Sequence, residues 1–401
     1  MHRLTVPASI ASALLASACS PYAACEEAGD ICTIAGVPGE ARFSEEGIDA
    51  REAALYLPQD AAQAPDGRLY LVDYNNHRLR RIEEDGTVTT VAGTGFLGDG
   101  PEGPGADFAF NHPTDIAFSP DDPSKLYIAA WHNSRINVLD LDHGTVSFEC
   151  GTGGRAFGGD GGPAKDAVLD LPVGIVFDSA GTLIISDQAN QVIRRVDHAS
   201  TITTIAGIHP DAEGVRQNGF EGRDGAMADA VRFNGGIGQQ AAPTSRIAIH
   251  EDVVYLADTF NHLIRSVDLE TGVVHTVAGT EPEIEGNATE LKDAGALHTG
   301  FSGEGDPAVG SLLLSPRDVA VAGNGTLYIA DTDNHCVRAV DGDGIITTVA
   351  GVCTSRGFDG DGGPATEALL DEPYGITLVD DDSALVIADT YNHVFRKVLL
   401  K

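Results

Sequence analysis

Histidine and cysteine are the residue types in this chain best suited to metal or nucleophile chemistry. The sequence contains 13 His and 6 Cys among 401 residues. A catalytic zinc site needs three protein ligands that converge on one open position. No H-x-x-H pair, metal-knuckle cysteine spacing, G-x-S-x-G elbow or P-loop occurs. Ligands from distant parts of the chain could still converge in the fold, so a metal-dependent enzyme remains an alternative.

Acidic glycine-rich segments offer a second type of metal chemistry, a calcium site. Two segments read G-G-D-G-G-P-A and G-D-G-G-P-A, and they make Asp160, Asp359 and Asp361 weak calcium candidates. Calcium takes six to eight oxygen ligands, and no twelve-residue loop with a distal Glu follows. The simpler interpretation is a turn at Asp361 followed by a short helix that starts near Pro364. We therefore expect no required cofactor, with calcium or zinc as the alternative.

Six similar segments determine where these residues lie, and their spacing of roughly 57 to 73 residues indicates stacked supersecondary units. The segments begin at Asp73, Ala130, Asp187, Asp258, Asp331 and Asp389. Around each lie short β-branched runs of the types P-x-x-I-A-F, L-Y-I-A-D, V-x-R-x-V and T-T-V-A-G, bounded by Gly, Asp and Pro. Such runs predict four strands per unit. Four antiparallel strands repeated radially describe a β-propeller blade.

The two ends of the chain predict how the ring closes. The last unit stops at Lys401 without its T-T-V-A-G strand, and residues 30–36 (D-I-C-T-I-A-G) supply a matching strand. Pairing this strand onto the last blade removes two exposed sheet edges. The sequence therefore predicts an all-β, six-bladed propeller of four-stranded antiparallel blades, closed by the N-terminal strand and forming one domain over residues 31–401.

Recurrence separates structural residues from site residues. An Asp, an Asn and an Arg occur in at least five copies, so none of them is a unique catalytic group. The short polar side chains can hold the turn between the second and third strands. The Arg fork can reach a turn carboxylate or nearby carbonyls. We interpret these residues, and the histidines of the four Asn-His pairs, as structural.

The second copy departs from this pattern. Ala130, Ser134 and Asn137 replace the Asp, His and Arg, and the copy introduces Trp131 and His132. Trp131 is the only tryptophan of the chain. An amphipathic aromatic ring beside a titratable imidazole at a loop tip is a candidate ligand contact. The alternative is a repacked interface between blades.

Two connections between blades, residues 209–243 and 280–316, are longer than the others. In an up-down-up-down blade they lie on the same face as the turns between second and third strands. Long loops on a rigid scaffold commonly carry binding residues. The ligand-binding candidates on these connections are His209, Arg216, Arg223, Gln239, Gln240 and His298.

The N-terminus predicts export. Residues 4–18 form a short apolar stretch after Arg3, which is typical of a signal peptide over residues 1–18. Residues 16–19 (A-S-A-C) resemble a bacterial lipobox with Cys19 as the lipidated residue, although Leu15 stands one place early. Ordinary signal-peptidase cleavage is the alternative. We expect a tether over residues 19–30 and a location in the bacterial cell envelope, as an outer-membrane lipoprotein, or outside the cell.

Export would permit disulfides. Cys25 and Cys32 bracket the closing strand and form a candidate disulfide, with free thiols as the alternative. For Cys150, Cys336 and Cys353 we expect buried, inert thiols.

The charge balance restricts the partners. The chain carries 60 acidic and 25 basic residues, a formal charge of −35. Such a surface repels phosphate backbones, which argues against nucleic-acid binding. It could retain cations or meet a basic partner, but solubility of a secreted protein is the simpler explanation.

With the strands placed, the chain resembles the NHL-repeat β-propeller family over about residues 31–401. The literal motif occurs at Asn261-His262-Leu263, and the Asn-His pair recurs at residues 76–77, 334–335 and 392–393. The G-D-G-G-P-A segments are similar to those of secreted bacterial proteins, and the propeller region of teneurins looks like a distant relative. The resemblance implies the fold, but the family includes scaffolds, sensors and a few enzymes.

We therefore favour a non-catalytic binding module that contacts a protein or glycan at the cell surface through its loop face, with membrane contact only through a lipid anchor. The alternative is a metal-dependent enzyme with a site in the central channel. The resemblance implies a lyase with zinc held by histidines, or a lactonase-like hydrolase.

Overall fold

The computed structural model describes residues 25–400 except 212, 239 and 240, and it contains six radial antiparallel blades. The first strand of each blade borders the central channel, and the fourth lies near the outer edge. The first strands are Ala61–Gln63, Pro113–Phe118, Pro172–Phe177, Ile247–His250, Asp318–Val321 and Pro373–Val379. The second strands are Leu69–Asp73, Lys125–Ala130, Leu183–Asp187, Val253–Asp258, Leu327–Asp331 and Ala384–Asp389. The third strands are Arg78–Ile82, Arg135–Asp140, Val192–Val196, Leu263–Asp268, Cys336–Val340 and Val394–Leu399. The fourth strands are Thr87–Ala92, Thr145–Cys150, Ile202–Ala206, Val273–Ala278, Ile345–Ala350 and, for blade 6, Asp30–Gly36.

Short elements complete this frame. Five blades carry a further two-residue strand at the outer edge: Ile48–Asp49, Gly103–Pro104, Ala226–Met227, Asp306–Pro307 and Gly363–Pro364. A separate pair joins Gly219–Phe220 to Gly286–Asn287, and the α-helix Ala288–Ala294 follows it. Six 3-10 turns join second to third strands: Tyr74–Asn76, Trp131–Asn133, Gln188–Asn190, Thr259–Asn261, Thr332–Asn334 and Thr390–Asn392. Four more lie in the connections: Gly105–Asp107, Ala164–Asp166, Ala228–Ala230 and Ala365–Glu367.

The prediction of six blades with N-terminal closure is confirmed. The strand Asp30–Gly36 pairs antiparallel with Val394–Leu399, with Ile31 opposite Val398 and Gly36 opposite Val394. Both ends of the chain thus complete one sheet, and no blade is left without its fourth strand.

Hydrophobic packing between neighbouring blades holds the ring together. Six buried clusters each join residues from two adjacent blades; for example, Leu79 of blade 1 packs with Ile128 of blade 2, and Leu71 of blade 1 with Val386 of blade 6. The alternating apolar residues of the strands are what these interfaces bury. The cores therefore lie between the blades, around the central channel.

The recurrent Asp, Asn and Arg fasten each turn to the preceding connection. In blade 6, Asp389 Oδ1 accepts the amide of Asp371 at 2.8 Å, and Asn392 Nδ2 donates to Asp389 Oδ2 at 2.8 Å. Arg396 is fully buried, lies 3.8 Å from Asp389, and donates to the carbonyl of Leu369. Burial raises the pKa of Asp389 to about 7, against the opposing effect of Arg396. Equivalent contacts recur in blades 1, 3 and 5.

The Asn-His histidines connect neighbouring blades. His77, His262, His335 and His393 all have positive φ, and each Nδ1 accepts a backbone amide from the next blade's connection. The distances run from 2.9 Å, at the amide of Ser315, to 3.3 Å. An accepting Nδ1 requires the neutral imidazole.

The cysteines differ in part from expectation. Cys25 and Cys32 form a disulfide beside the closing strand. The expectation of free thiols at Cys336 and Cys353 is wrong, because these two residues also form a disulfide, with their Cα atoms 5.0 Å apart. Val337 pairs with Ala350, and a bulge follows in the register, so the chain after Ala350 passes beside Cys336. Cys150 is buried and free, and burial raises the pKa of its thiol to about 12.

The short helix expected after Pro364 is only a single 3-10 turn, Ala365–Glu367. Ala368 returns to extended backbone, and the buried Ala368 and Leu370 continue towards the next first strand. Within the part of the chain described, no helix has the length and apolar character needed to cross a bilayer.

Candidate functional site

The face that carries the six turns between second and third strands, here called the loop face, also carries both long connections. Their strands Gly219–Phe220 and Gly286–Asn287 pair with each other. The helix after them begins with a capping box, in which Asn287 accepts the amides of Thr289 and Glu290. The two connections therefore fold against each other as one structured unit above blade 4.

A small core supports this unit. Phe220, Leu291 and Ala296 of the connections bury their side chains against Leu263 of the third strand of blade 4. The connections are thus anchored to the rigid scaffold.

Two glutamines of blade 3 hold the next part of the first long connection. Gln188 Nε2 donates to the carbonyls of Gly236 and Ala242, at 2.8 and 3.1 Å, and Gln191 Oε1 accepts the amide of Gly235 at 2.7 Å. A Cβ at Gly236 would lie 2.8 Å from Gln188 Nε2, so a larger residue there would disturb the hydrogen bonds of Gln188. Sequence reasoning missed both glutamines. The signal was their departure from the Thr and His that occupy these positions in blades 4 to 6.

These elements enclose a groove of about 520 Å³, here called the insertion groove. Its described lining residues are Asn218, Asn234, Gly235, Gly236, Ile237, Ala241, Ala242, Phe260, His262, Ala288, Lys292 and Leu297. Ile237 is 44% exposed, Phe260 and Leu297 are half-buried, and Lys292 is exposed. The groove therefore combines an accessible apolar surface with one cation and a few amide groups.

Trp131 does not lie in this groove and is only 1% exposed. It packs with Tyr74, Leu171, Val173 and Ala189 at the loop-face end of the channel. The expectation of a ligand contact at an exposed loop tip does not fit this burial, whereas the alternative of a repacked interface does. The first residue of each turn points towards the interior, and Trp131 occupies that position.

His132 is half-buried and stacks on Trp131, with ring centroids 4.1 Å apart. Its Nδ1 lies 3.1 Å from Nδ1 of His112, and the His112 ring in turn contacts His77. Burial lowers the pKa of His132 to about 4 and that of His112 to about 3. The three rings therefore form a neutral cluster beneath the surface.

A second pocket, of about 310 Å³, lies between the connection before blade 3 and the first long connection. We call it the arginine pocket; it is lined by Arg155, Ala156, Phe157, Asn190, Pro210, Asp211, Gly214 and Arg216. Of the ligand-binding candidates, Arg216 lines this pocket, and His209 stacks on its lining residue Phe157 with nearly parallel rings 5.0 Å apart.

The remaining loop candidates lie elsewhere. Arg223 pairs with Glu281 at 3.4 Å, and His298 Nε2 lies 3.0 Å from Glu283. Gln239 and Gln240 lie outside the described residues, as does Cys19.

The carboxylates proposed for calcium have protein partners. Asp160 pairs with Arg194 and Asp361 with Arg396, each at 2.5 Å, while Asp359 is exposed and accepts the amide of Gly360. Among the residues described, no three His, Cys, Asp or Glu side chains are arranged to hold a metal ion.

The central channel contains a charged group that sequence reasoning also missed. Asp60, Asp115 and Asp318 occupy the third position of the P-x-x first-strand motif, and each accepts an amide from the next blade. In blade 4 the motif is one residue longer, and Arg246 takes the equivalent place directly before Ile247, 3.7 Å from Asp60 and 3.5 Å from Asp318. Burial raises the pKa of Asp318 to about 7 and that of Asp115 well above its usual range.

Glycine completes this ring in blades 3 and 6, and in blade 6 a side chain would not fit. A Cβ at Gly375 would lie 2.0 Å from the carbonyl of Gln59 and 2.8 Å from Arg246 Nη1. On the face opposite the loop face, the first strands enclose a cavity of about 520 Å³ that reaches this ring. The turn Asp380–Asp382 contributes three carboxylates to its lining.

The architecture and its repeated turn define a six-bladed β-propeller of the Asp-x-x-Asn turn type. The family model described as "NHL repeat" matches residues 55–82 and 313–340, in blades 1 and 5. Two blades of this chain thus match the NHL repeat, and the chain has the fold of an NHL-repeat β-propeller.

Known proteins extend this similarity. The chain is 28% identical over 316 residues to Protein SUPPRESSOR OF QUENCHING 1, chloroplastic, of Arabidopsis thaliana, covering 76% of this chain and 27% of that protein. It is 26% identical to Teneurin-m of Drosophila melanogaster, covering 87% of this chain and 12% of that protein. The chain thus spans a minor part of these relatives. A solved auxiliary nutrient binding protein from Bacteroides thetaiotaomicron has a TM-score of 0.60 at 16% identity, with 92% of this chain and 75% of that one covered; this likeness establishes the fold alone.

Proposed function

We propose that this propeller is a non-catalytic binding module that takes a polypeptide segment into the insertion groove. The observation that carries the proposal is that the two long connections, which depart from the sixfold repeat, fold together and leave an accessible apolar groove between them. A rigid scaffold with a structured, partly apolar loop site is the usual arrangement for recognition.

The character of the groove favours a polypeptide over a sugar. Ile237, Phe260 and Leu297 offer apolar contact, whereas Asn218 and Lys292 can orient a backbone carbonyl or a carboxylate. Apolar anchors seated in such grooves supply most of the affinity at protein interfaces. A glycan, the other partner class considered from the sequence, is the alternative outcome of the test.

Two disulfides support a location outside the cytoplasm. Cys25–Cys32 and Cys336–Cys353 are both bonded, and such bonds persist in oxidising compartments. We propose that the protein is exported and meets its partner at the cell surface, with Cys19 as the lipid anchor point.

The groove is tested with a phage-displayed random peptide library and a glycan array, both probed with the full chain. Peptides selected on the wild type should bind Ile237→Asp at least about tenfold more weakly, because the new carboxylate must be desolvated against apolar groups. Val309→Asp is the matched control, since Val309 is exposed to 59% outside the groove. Fluorescence polarisation gives the dissociation constants.

Equal binding by all three proteins, or no ligand from either library, would contradict the proposal. If a glycan binds the wild type and Val309→Asp but not Ile237→Asp, the insertion groove is still the binding site, and its ligand is a carbohydrate rather than a polypeptide.

A further inference from the structure

We propose that the arginine pocket binds a small ligand carrying a single carboxylate group. This site is separate from the insertion groove and takes a different ligand class, so it goes beyond the proposed function.

Two guanidinium groups converge in this pocket on one buried carboxylate. Arg155 Nε donates to Asp170 Oδ1 at 2.7 Å, Arg216 Nη2 donates to Asp170 Oδ2, and the Asp170 side chain is fully buried. Asp170 therefore fixes both arginine side chains in place. Preorganised guanidinium forks are the protein groups that best match a planar carboxylate.

Both arginines keep donors for a ligand. Among the described residues, Nη1 of Arg155 and Nη1 of Arg216 have no hydrogen-bond acceptor, and Arg155 Nη2 has only the carbonyl of Gly238 at 3.5 Å. The two side chains remain 27% and 31% exposed. An incoming carboxylate can thus be bound without breaking the contacts to Asp170.

Asp170 lies in the connection before blade 3 and is contacted by more arginines than the buried Asp of a turn. In blades 1, 3, 5 and 6 a buried turn Asp faces one buried Arg, as Asp187 faces Arg194 at 3.4 Å. Asp170 faces two, one of them supplied by the first long connection. The remaining acid of the pocket, Asp211, accepts the amides of Glu213 and Val215 in its own turn.

The net charge of the chain and the volume of the pocket both favour a small ligand with a single negative charge. The formal charge of the chain is −35, so a polyanion would have its further charges repelled around the pocket. The volume of about 310 Å³ lies at the lower end of small-molecule sites. A single carboxylate on a compact body satisfies both conditions.

The test compares matched pairs of probes by isothermal titration calorimetry with the full chain: benzoate against benzamide, and D-glucuronate against D-glucose. At least one carboxylate should bind with Kd of about 1 mM or tighter, and its neutral counterpart should bind at least about tenfold more weakly. This comparison needs only the wild type.

Variants locate the site. Arg216→Gln keeps the Arg155–Asp170 pair and should weaken the carboxylate at least about tenfold. Arg223→Gln removes another arginine of the loop face, itself paired with Glu281, and should change nothing. Arg155→Gln should also lose binding, provided that its melting temperature confirms folding.

No preference for either carboxylate over its neutral partner, or unchanged binding in Arg216→Gln, would overturn the proposal. Neither result bears on the insertion groove, which is tested separately through Ile237→Asp.

Discussion

His262 illustrates how single residues hold neighbouring blades together. Its backbone has positive φ, its side chain is 8% exposed, and its Nδ1 accepts the amide of Ser315 at 2.9 Å. Burial lowers the pKa of His262 to about 4, so the acceptor form persists at neutral pH.

This contact predicts a pH dependence. The folded pKa of about 4 lies below the unfolded value of about 6.5, so the unfolded chain binds more protons between them. The contribution of His262 is therefore complete above about pH 6.5 and is lost as the pH falls towards 4, by up to about 3 kcal/mol. The variant His262→Asn removes the titrating imidazole, and asparagine is compatible with positive φ. Denaturant unfolding between pH 7 and 4.5 should show a smaller loss of stability in this variant than in the wild type.

The control is His198→Asn, at an exposed histidine, which should follow the wild type. The same pH dependence in His262→Asn and the wild type would show that His262 does not contribute as an acceptor.

At the scale of elements, repetition made the strands predictable, and exceptions to it were harder to interpret. The four strand types could be read from β-branched alternation, because each blade buries both faces. Trp131 looked like a site residue because its copy is irregular. Trp131 aligns with Thr259, Thr332 and Thr390, which are all fully buried. This alignment was the sign that Trp131 takes an interior position. The insertion groove could not be derived, because it depends on how two connections pair across 68 residues of sequence, from Gly219 to Asn287.

The turn of blade 5 gives a test of this element. Asp331 and Arg338 are both fully buried, so Asp331→Ala leaves Arg338 with only the exposed Glu304 as a counter-charge, removes the acceptor of the Leu314 amide, and should cost about 3 kcal/mol. Blade 2 replaces the same pair by Ala130 and Asn137. The double variant Asp331→Ala/Arg338→Asn should therefore lose less stability than the sum of the single variants, with a coupling of at least about 1 kcal/mol in a denaturation cycle. Additive losses would show that the two groups are not coupled.

At the scale of the whole molecule, ring closure fixes the relative positions of the six blades and therefore of the surfaces described above. Residues 25–36 and the third strand of blade 6 belong to opposite ends of the sequence, yet they complete one blade. The missing fourth strand at the C-terminus and its match near the N-terminus made this closure predictable. The channel ring of Asp60, Asp115, Arg246 and Asp318 was not predictable in the same way, because Arg246 of blade 4 reaches across the channel to Asp60 of blade 1, which is not its neighbour in the ring.

Hydrogen exchange of the closing strand tests the central claim most directly. Amides of Asp30–Gly36 should exchange as slowly as those of Ile202–Ala206, the fourth strand of blade 3, because both pair with a complete sheet. Exchange of Asp30–Gly36 within seconds, while Ile202–Ala206 stays protected, would contradict a closed ring of six blades.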